Sequence, residues 1–176
     1  MSYHLGMLAA HRLARRKISF RKIFYPGNCL VLITSGVSGV TGGLLLYLLW
    51  PLLGIPAAAG LHLESIGLNS TSWPFFIVYF ILVNAFIEEL FWRGLLGSDL
   101  KRITLNDFIF SGYHIIVLAG WVALPWLVLV FFFLALAAWF WRQADRWNQG
   151  LFPSVLSHLM ADALIILVIY FMTVRG

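Results

Sequence analysis

The sequence predicts an all-α fold, a polytopic integral membrane bundle of about five transmembrane helices around a polar cavity facing the cytosol. Three observations predict it. The 176 residues are 61% hydrophobic and only 11% charged, with a mean hydropathy of +0.90, whereas a soluble domain is roughly half apolar and about a quarter charged. So few polar side chains cannot cover a water-facing surface, and the excess apolar surface needs lipid. Five stretches approach the roughly 20 apolar residues that cross a bilayer core as a helix. No strand-like alternation appears, and lipid admits only helices or closed barrels.

Residues 1–27 form a basic segment. Arg12, Arg15, Arg16, Lys17, Arg21 and Lys22 are half of the 12 basic residues in a chain of net charge +5. A basic arm serves nucleic acid in some proteins, but beside an apolar span it reads as a cytosolic flank drawn to anionic lipid, and no nucleic-acid partner is expected. Two forms fit it, an interfacial amphipathic helix and a solvated tail. The apolar run that comes next, 29–50, is too long for the roughly 7–15-residue core of a signal peptide, so cleavage at Ala57-Ala58-Ala59 is not expected. Cys29 is the single cysteine, which excludes an intrachain disulfide and a Cys-type metal cluster.

The transmembrane domain is expected over 28–176, with its catalytic core at about 73–172. The first span, 28–50, stops at Pro51 and carries Ser35, Gly39 and Gly43 at four-residue spacing, a small-residue face for close helix packing. The segment 51–72 reads as a loop or a re-entrant cap. The second span is 73–96. The third, 107–121, is short and must thin the bilayer or borrow flanking residues. The fourth, 125–141, opens on Pro125, which suits a first helical turn. The fifth is 151–172. Trp50, Trp73, Trp121, Trp126, Trp141 and Trp147 stand near span ends, as an interfacial belt would.

With a cytosolic amino terminus, the inner segments 1–27, 97–106 and 142–150 hold the basic flank plus Lys101, Arg102, Arg142 and Arg146. The outer segments 51–72 and 122–124 hold no Lys or Arg, and Arg175 alone falls outside. This bias predicts an inner amino terminus and an outer carboxyl terminus.

Ionisable groups within spans are costly and therefore suspects for function. Here they are Glu88, Glu89 and Arg93 in the second span, His114 in the third, and His158 and Asp162 in the fifth. The first and fourth spans are expected to hold none. Glu88 stands about eight residues, or about 12 Å, from the inner end of its span, and His114 and His158 each stand about seven residues, or about 10 Å, inside theirs. Three helices thus bring polar groups to one level in the cytosolic half of the membrane. Glu89 and Arg93, at i and i+4, can pair. Glu88, turned by about 100° from Glu89, has no partner on its own helix and suits a general base. Asp162 shares a face with His158 and can set its tautomer and orientation. Each of these groups taken singly also suits a plain packing or interhelical hydrogen-bonding role, above all the Glu89–Arg93 pair. Their common depth favours a joint site.

Glu88-Glu89-Leu90-Phe91-Trp92-Arg93 reads EExxxR, Phe110 to His114 reads FxxxH, and His158 to Asp162 reads HxxxD. In this order, on separate apolar helices, they resemble the motifs of the CPBP family, which includes the CAAX prenyl endopeptidases and many bacterial intramembrane proteases, some linked to bacteriocin processing and immunity. The resemblance covers about 73–172. It implies a glutamate-dependent intramembrane endopeptidase acting on a membrane-embedded or lipid-anchored protein substrate, in some relatives a carboxyl-terminal sorting or processing signal. It implies that Glu88 activates water with help from His114, that Glu89, Arg93 and Phe110 brace the site, and that His158 and Asp162 serve the oxyanion. An ionised aspartate only accepts hydrogen bonds, so Asp162 is either protonated or orients His158 while the imidazole donates; the second is favoured. No cofactor is expected. Two histidines and a glutamate could ligate a metal such as zinc, but the resemblance favours the metal-independent mechanism. Two other classes fit the same residues: a non-catalytic immunity or partner protein of this fold, and a proton-coupled transporter. The absence of paired, broken helices counts against the transporter.

Overall fold

A computed structural model describes residues 2–13, 23–25 and 27–175. The flank Arg15, Arg16, Lys17, Arg21 and Lys22, and the side chain of Arg12, lie outside the described residues. The described residues form seven helices and no strand. They are α1 (Ser2–Leu13), α2 (Cys29–Leu49, continued by a 3₁₀ turn at Trp50–Leu52), α3 (Ala59–Ser65), α4 (Trp73–Leu95), α5 (Leu105–Leu118), α6 (Leu124–Asn148) and α7 (Phe152–Val174). Four of them, α2, α4, α6 and α7, are long and apolar enough to cross a membrane. The predicted short third span is α5, whose 14 residues reach about 21 Å at the helical rise.

The central helix is α7, which packs on α2, α4 and α6, while α5 packs on α6 and α1 lies against α4. The small-residue face of α2 lets it approach α7 closely. Ser35, Gly39 and Gly43 are all buried. A Cβ on Gly39 would meet the Ser157 carbonyl, and one on Gly43 would meet the Leu164 side chain. Close backbone approach also lets Ser38 Oγ and Ser157 Oγ share a hydrogen bond at 2.8 Å. The outward faces remain apolar: Ile33, Val37 and Leu48 on α2 and Leu129, Phe132 and Leu136 on α6 are exposed, as lipid contact requires.

Helix ends are tied down by local chemistry. Asn28 caps α2 by accepting from the Leu30 amide at 2.8 Å, and its own amide donates to Asn148 at the end of α6 (2.9 Å). Asp107 turns back in the first turn of α5 to accept from the Thr104 amide (2.7 Å) and hydroxyl (3.0 Å). Asp145 of α6 accepts from the Ser154 amide at the start of α7 (3.0 Å), satisfying a donor that the helix itself leaves free.

The fourth span differs from its expected form. It continues past Trp141 to Asn148, so Arg142, Asp145 and Arg146 belong to the helix and not to a loop. The reason is Arg142. Its guanidinium pairs with Asp107 (2.7 Å to Oδ2, 3.2 Å to Oδ1) and donates to the carbonyls of Ser98, Leu100 and Arg102. A buried cation with this many acceptors is stable inside the bundle, and it clasps the α4–α5 connection to α6. With two further turns of helix beyond it, Trp141 is buried and does not join an interfacial belt.

Candidate active site

The second span is not a uniform α-helix. Two π-helical turns, Phe80–Asn84 and Leu90–Leu95, flank an α-helical turn at Ala85–Glu89. An added residue in a turn rotates the rest of the helix about its axis, and such insertions gather at functional sites. Here they frame the two adjacent glutamates, both fully buried.

Glu88, His114 and His158 come together from α4, α5 and α7. Glu88 Oε2 lies 3.8 Å from His114 Nε2 and 4.0 Å from His158 Nε2. That oxygen makes no hydrogen bond among the described residues, although Glu88 is only 2% exposed. The His114 side chain is 25% exposed, so the group opens to its surroundings on that side. His114 Nδ1 lies 2.8 Å from the Phe110 carbonyl. A carbonyl only accepts, so Nδ1 carries a hydrogen and Nε2 of the neutral ring presents a lone pair toward Glu88. The i, i+4 spacing of FxxxH therefore has a mechanical meaning: the residue that begins the motif orients the imidazole that ends it.

Glu89 and Arg93 pair as predicted, with Oε1 and Nη1 3.0 Å apart. The Arg93 guanidinium also lies over the rings of Phe110 (4.3 Å to the centroid) and Trp141 (4.9 Å). The same Glu89 Oε1 lies 2.8 Å from His158 Nδ1. Glu89 is thus the group that orients His158, together with Trp141, whose ring stacks on the imidazole at 5.2 Å and 24°. Read from the sequence, this role falls to Asp162 alone; Glu89 makes the shorter contact. Asp162 faces the other ring nitrogen, Nε2, at 3.5 Å, beyond ordinary hydrogen-bond length. Helical spacing pairs residues within one helix; it does not reveal a stronger partner arriving from another.

Asp162 is held elsewhere. Asn84 Nδ2, from the first π-turn of α4, donates to Asp162 Oδ2 at 2.9 Å. Asn84 Oδ1 accepts from the Tyr3 hydroxyl and lies 2.9 Å from His4 Nε2. Both partners stand on α1. His4 Nδ1 meets the Tyr79 hydroxyl, and the Tyr3 hydroxyl lies 3.4 Å from Glu88 Oε1. Sequence reasoning missed Asn84, Tyr3 and His4. Asn84 left a readable trace, an amide inside an apolar span four residues before Glu88. Tyr3 and His4 left none. Beneath the polar groups lies an apolar cluster of Met7, Trp92, Phe110, Ala138 and Trp141.

Among the described residues no three His, Cys, Asp or Glu side chains are grouped to hold a metal ion. The Nδ1 atoms of His114 and His158 are both engaged, and Glu88 Oε2 with the two Nε2 atoms forms a set somewhat wider than the roughly 3.4 Å between donors that tetrahedral zinc implies from ligand distances of about 2.1 Å.

The arrangement offers an acceptor oxygen flanked by two imidazoles, walled by apolar rings, within a helix bundle suited to lipid. A family model described as type II CAAX prenyl endopeptidase, Rce1-like, matches residues 70–164, a stretch that contains Glu88, Glu89, Arg93, Phe110, His114, His158 and Asp162. No curated protein and no solved structure matches the chain.

Proposed function

Because this chain belongs to the Rce1-like family of type II CAAX prenyl endopeptidases, a family of membrane proteases, we propose that it hydrolyses a peptide bond by glutamate-dependent catalysis at Glu88. The observation that carries the reading is the unpartnered Glu88 Oε2 between His114 Nε2 and His158 Nε2, at 3.8 and 4.0 Å. Gaps of this size between polar atoms suit a bridging water.

In the proposed reaction, a water held by Glu88 Oε2 and His114 Nε2 attacks the scissile carbonyl carbon. Glu88 takes the water proton as the C–O bond forms. The oxyanion accepts from the Nε2–H of His158 as an imidazolium, whose Nδ1–H donates to Glu89 and whose charge is balanced by Glu89 and Asp162 on its two sides. The tetrahedral intermediate then collapses, the C–N bond breaks, and Glu88 returns the proton to the leaving amine. The Phe110 carbonyl assigns the His114 hydrogen to Nδ1, so Nε2 accepts from the water and cannot also supply the oxyanion. The division of labour between the two imidazoles follows from their backbone and carboxylate partners. Asp162 acts on His158 and makes no contact with substrate.

The substrate class we propose is a transmembrane or lipid-anchored protein cut close to the cytosolic face, a carboxyl-terminal sorting or processing signal included, in a bacterial inner membrane. The reaction as drawn uses no cofactor, so turnover should persist after dialysis against a strong chelator; loss restored by zinc would replace the water-activating role given to Glu88 by a metal. The decisive experiment is terminal mass spectrometry of membrane proteins from cells carrying wild-type, Glu88→Ala or Glu88→Gln protein. A shifted terminus should appear only with wild type, because removing a general base lowers rate by about 10²–10⁴-fold. Full biological activity of Glu88→Gln would show that a non-catalytic partner role is the right one.

A further inference from the structure

We infer that Asn84 is a positioning residue of the active site, through which the amino-terminal helix α1 sets the orientation of Asp162. This rests on the site assignment under Proposed function. It reaches outside the stretch that carries the family match, since Tyr3 and His4 lie far upstream of residue 70.

The geometry is a relay of single contacts. The Tyr3 hydroxyl and His4 Nε2 both face Asn84 Oδ1, Asn84 Nδ2 faces Asp162 Oδ2 at 2.9 Å, and Asp162 Oδ1 faces His158 Nε2 at 3.5 Å. An asparagine amide can be turned over, and here its partners decide which way it stands. With Oδ1 toward α1, the amide meets two donors on that side and a carboxylate on the other. The reverse would set Oδ1 against the Asp162 carboxylate, acceptor against acceptor. His4 can match this polarity: the Tyr79 hydroxyl beside its Nδ1 is able to donate to it, which leaves the ring hydrogen on Nε2, facing Asn84.

Burial makes the contact consequential. Asn84, His4 and Asp162 are all buried, and in apolar surroundings an amide without partners costs several kcal/mol, so the relay is held together by the penalty of breaking it. A carboxylate whose one oxygen is fixed by an amide cannot rotate freely about its Cβ–Cγ bond. Its other oxygen therefore stays on the His158 side. Asn84 also stands one turn before Glu88 on α4, so the residue that anchors α1 and the residue proposed to activate water move as one body. The Tyr3 hydroxyl at 3.4 Å from Glu88 Oε1 adds a direct link.

The occupation of this side of the site by α1 admits the opposite role, a plug that must withdraw before substrate enters. The two make opposite predictions. Positioning requires that loosening the relay lowers turnover; a plug requires that it raises it.

The test uses the full chain in liposomes with a quenched-fluorescent peptide ending in a farnesylated CAAX sequence as probe. Asn84→Ala and Asn84→Asp should lower kcat by about 10–100-fold, the range typical when a supporting partner is removed, with KM little changed. The Asn84→Asp change sets two carboxylates face to face. Adding Asp162→Asn to it restores an amide–carboxylate bond with reversed direction while still offering acceptors to Tyr3 and His4. This swapped pair should recover at least about tenfold over Asn84→Asp alone, a gain of about 1.4 kcal/mol. A merely structural role for Asn84 would not produce that recovery, nor the split between kcat and KM. A second readout needs no turnover: with ¹⁵N-labelled histidine, Asn84→Ala should move the resonances of His4 and of His158, which Asn84 does not touch, and leave His62 in α3 unmoved. An unmoved His158, a swapped pair no faster than Asn84→Asp, or a rise in turnover with Tyr3→Phe or Asn84→Ala would overturn the inference. Failure of the broader reading is distinct: Glu88→Ala would then cut the probe as fast as wild type.

Discussion

At the scale of single residues, the site illustrates how one buried cation organises its neighbours. Arg93 joins Glu89 and covers the faces of Phe110 and Trp141, while Glu89 holds His158. Removing it would leave Glu89 without its guanidinium partner in a dry site. Arg93→Ala is therefore expected to destabilise the protein by about 3–5 kcal/mol, read from thermal unfolding in detergent, and to disorder His158. Arg93→Lys should recover little, because an ammonium lacks the planar face that stacks on both rings. If Arg93→Lys unfolds and cuts like wild type, the ring contacts contribute nothing. The residue-scale pattern of FxxxH was legible beforehand in its spacing. Its meaning, a carbonyl that sets a tautomer, required coordinates, because a backbone acceptor has no signature in the side-chain sequence.

At the scale of elements, two contacts decide how helices sit. The first is the α2–α7 seam, where hydrogens at Gly39 and Gly43 allow backbone and Cβ approach. Gly43→Leu is expected to push α2 away from α7 and destabilise by about 1–3 kcal/mol, as overpacking does; unchanged unfolding would show that the seam is loose. The second is Arg142, which ties the loop 96–104 to α6 through three carbonyls and Asp107. Arg142→Ala should leave those carbonyls and Asp107 without their partner and open the loop, so limited proteolysis of proteoliposomes should nick 96–104 faster than in wild type. The seam was readable as a small-residue spacing. The clasp was not, since Arg142 and Asp107 stand 35 residues apart and basic residues near a span end read first as a topological bias.

At the scale of the whole molecule, the four long apolar helices and the family membership make this an integral membrane protein. The sole cysteine reports on its orientation. Cys29 is exposed and starts α2 at the end where Asn28 meets Asn148, near the turn that joins α6 to α7. With a cytosolic amino terminus, a membrane-impermeant maleimide should label Cys29 in inside-out vesicles and spare it in intact spheroplasts. Labelling in intact spheroplasts alone would reverse the topology. Substrate would then have to be cut near the opposite face.

Hydropathy, motif order and the depth of each polar group along its own helix were settled by sequence, because each is a sum or a count along one local stretch. They sufficed for an all-helical membrane bundle in which Glu88, His114 and His158 share a level. Which face of each helix meets which neighbour was decided only by packing. That is why the partner of His158 proved to be Glu89, 69 residues away, and why Asn84 and α1 entered the site at all. Helical periodicity sorts residues onto faces but carries no information about lateral pairing, and π-turns such as those around Glu88 shift even the faces. Burial and hydrogen-bond satisfaction between distant segments make that choice, and they exist only once the chain has folded.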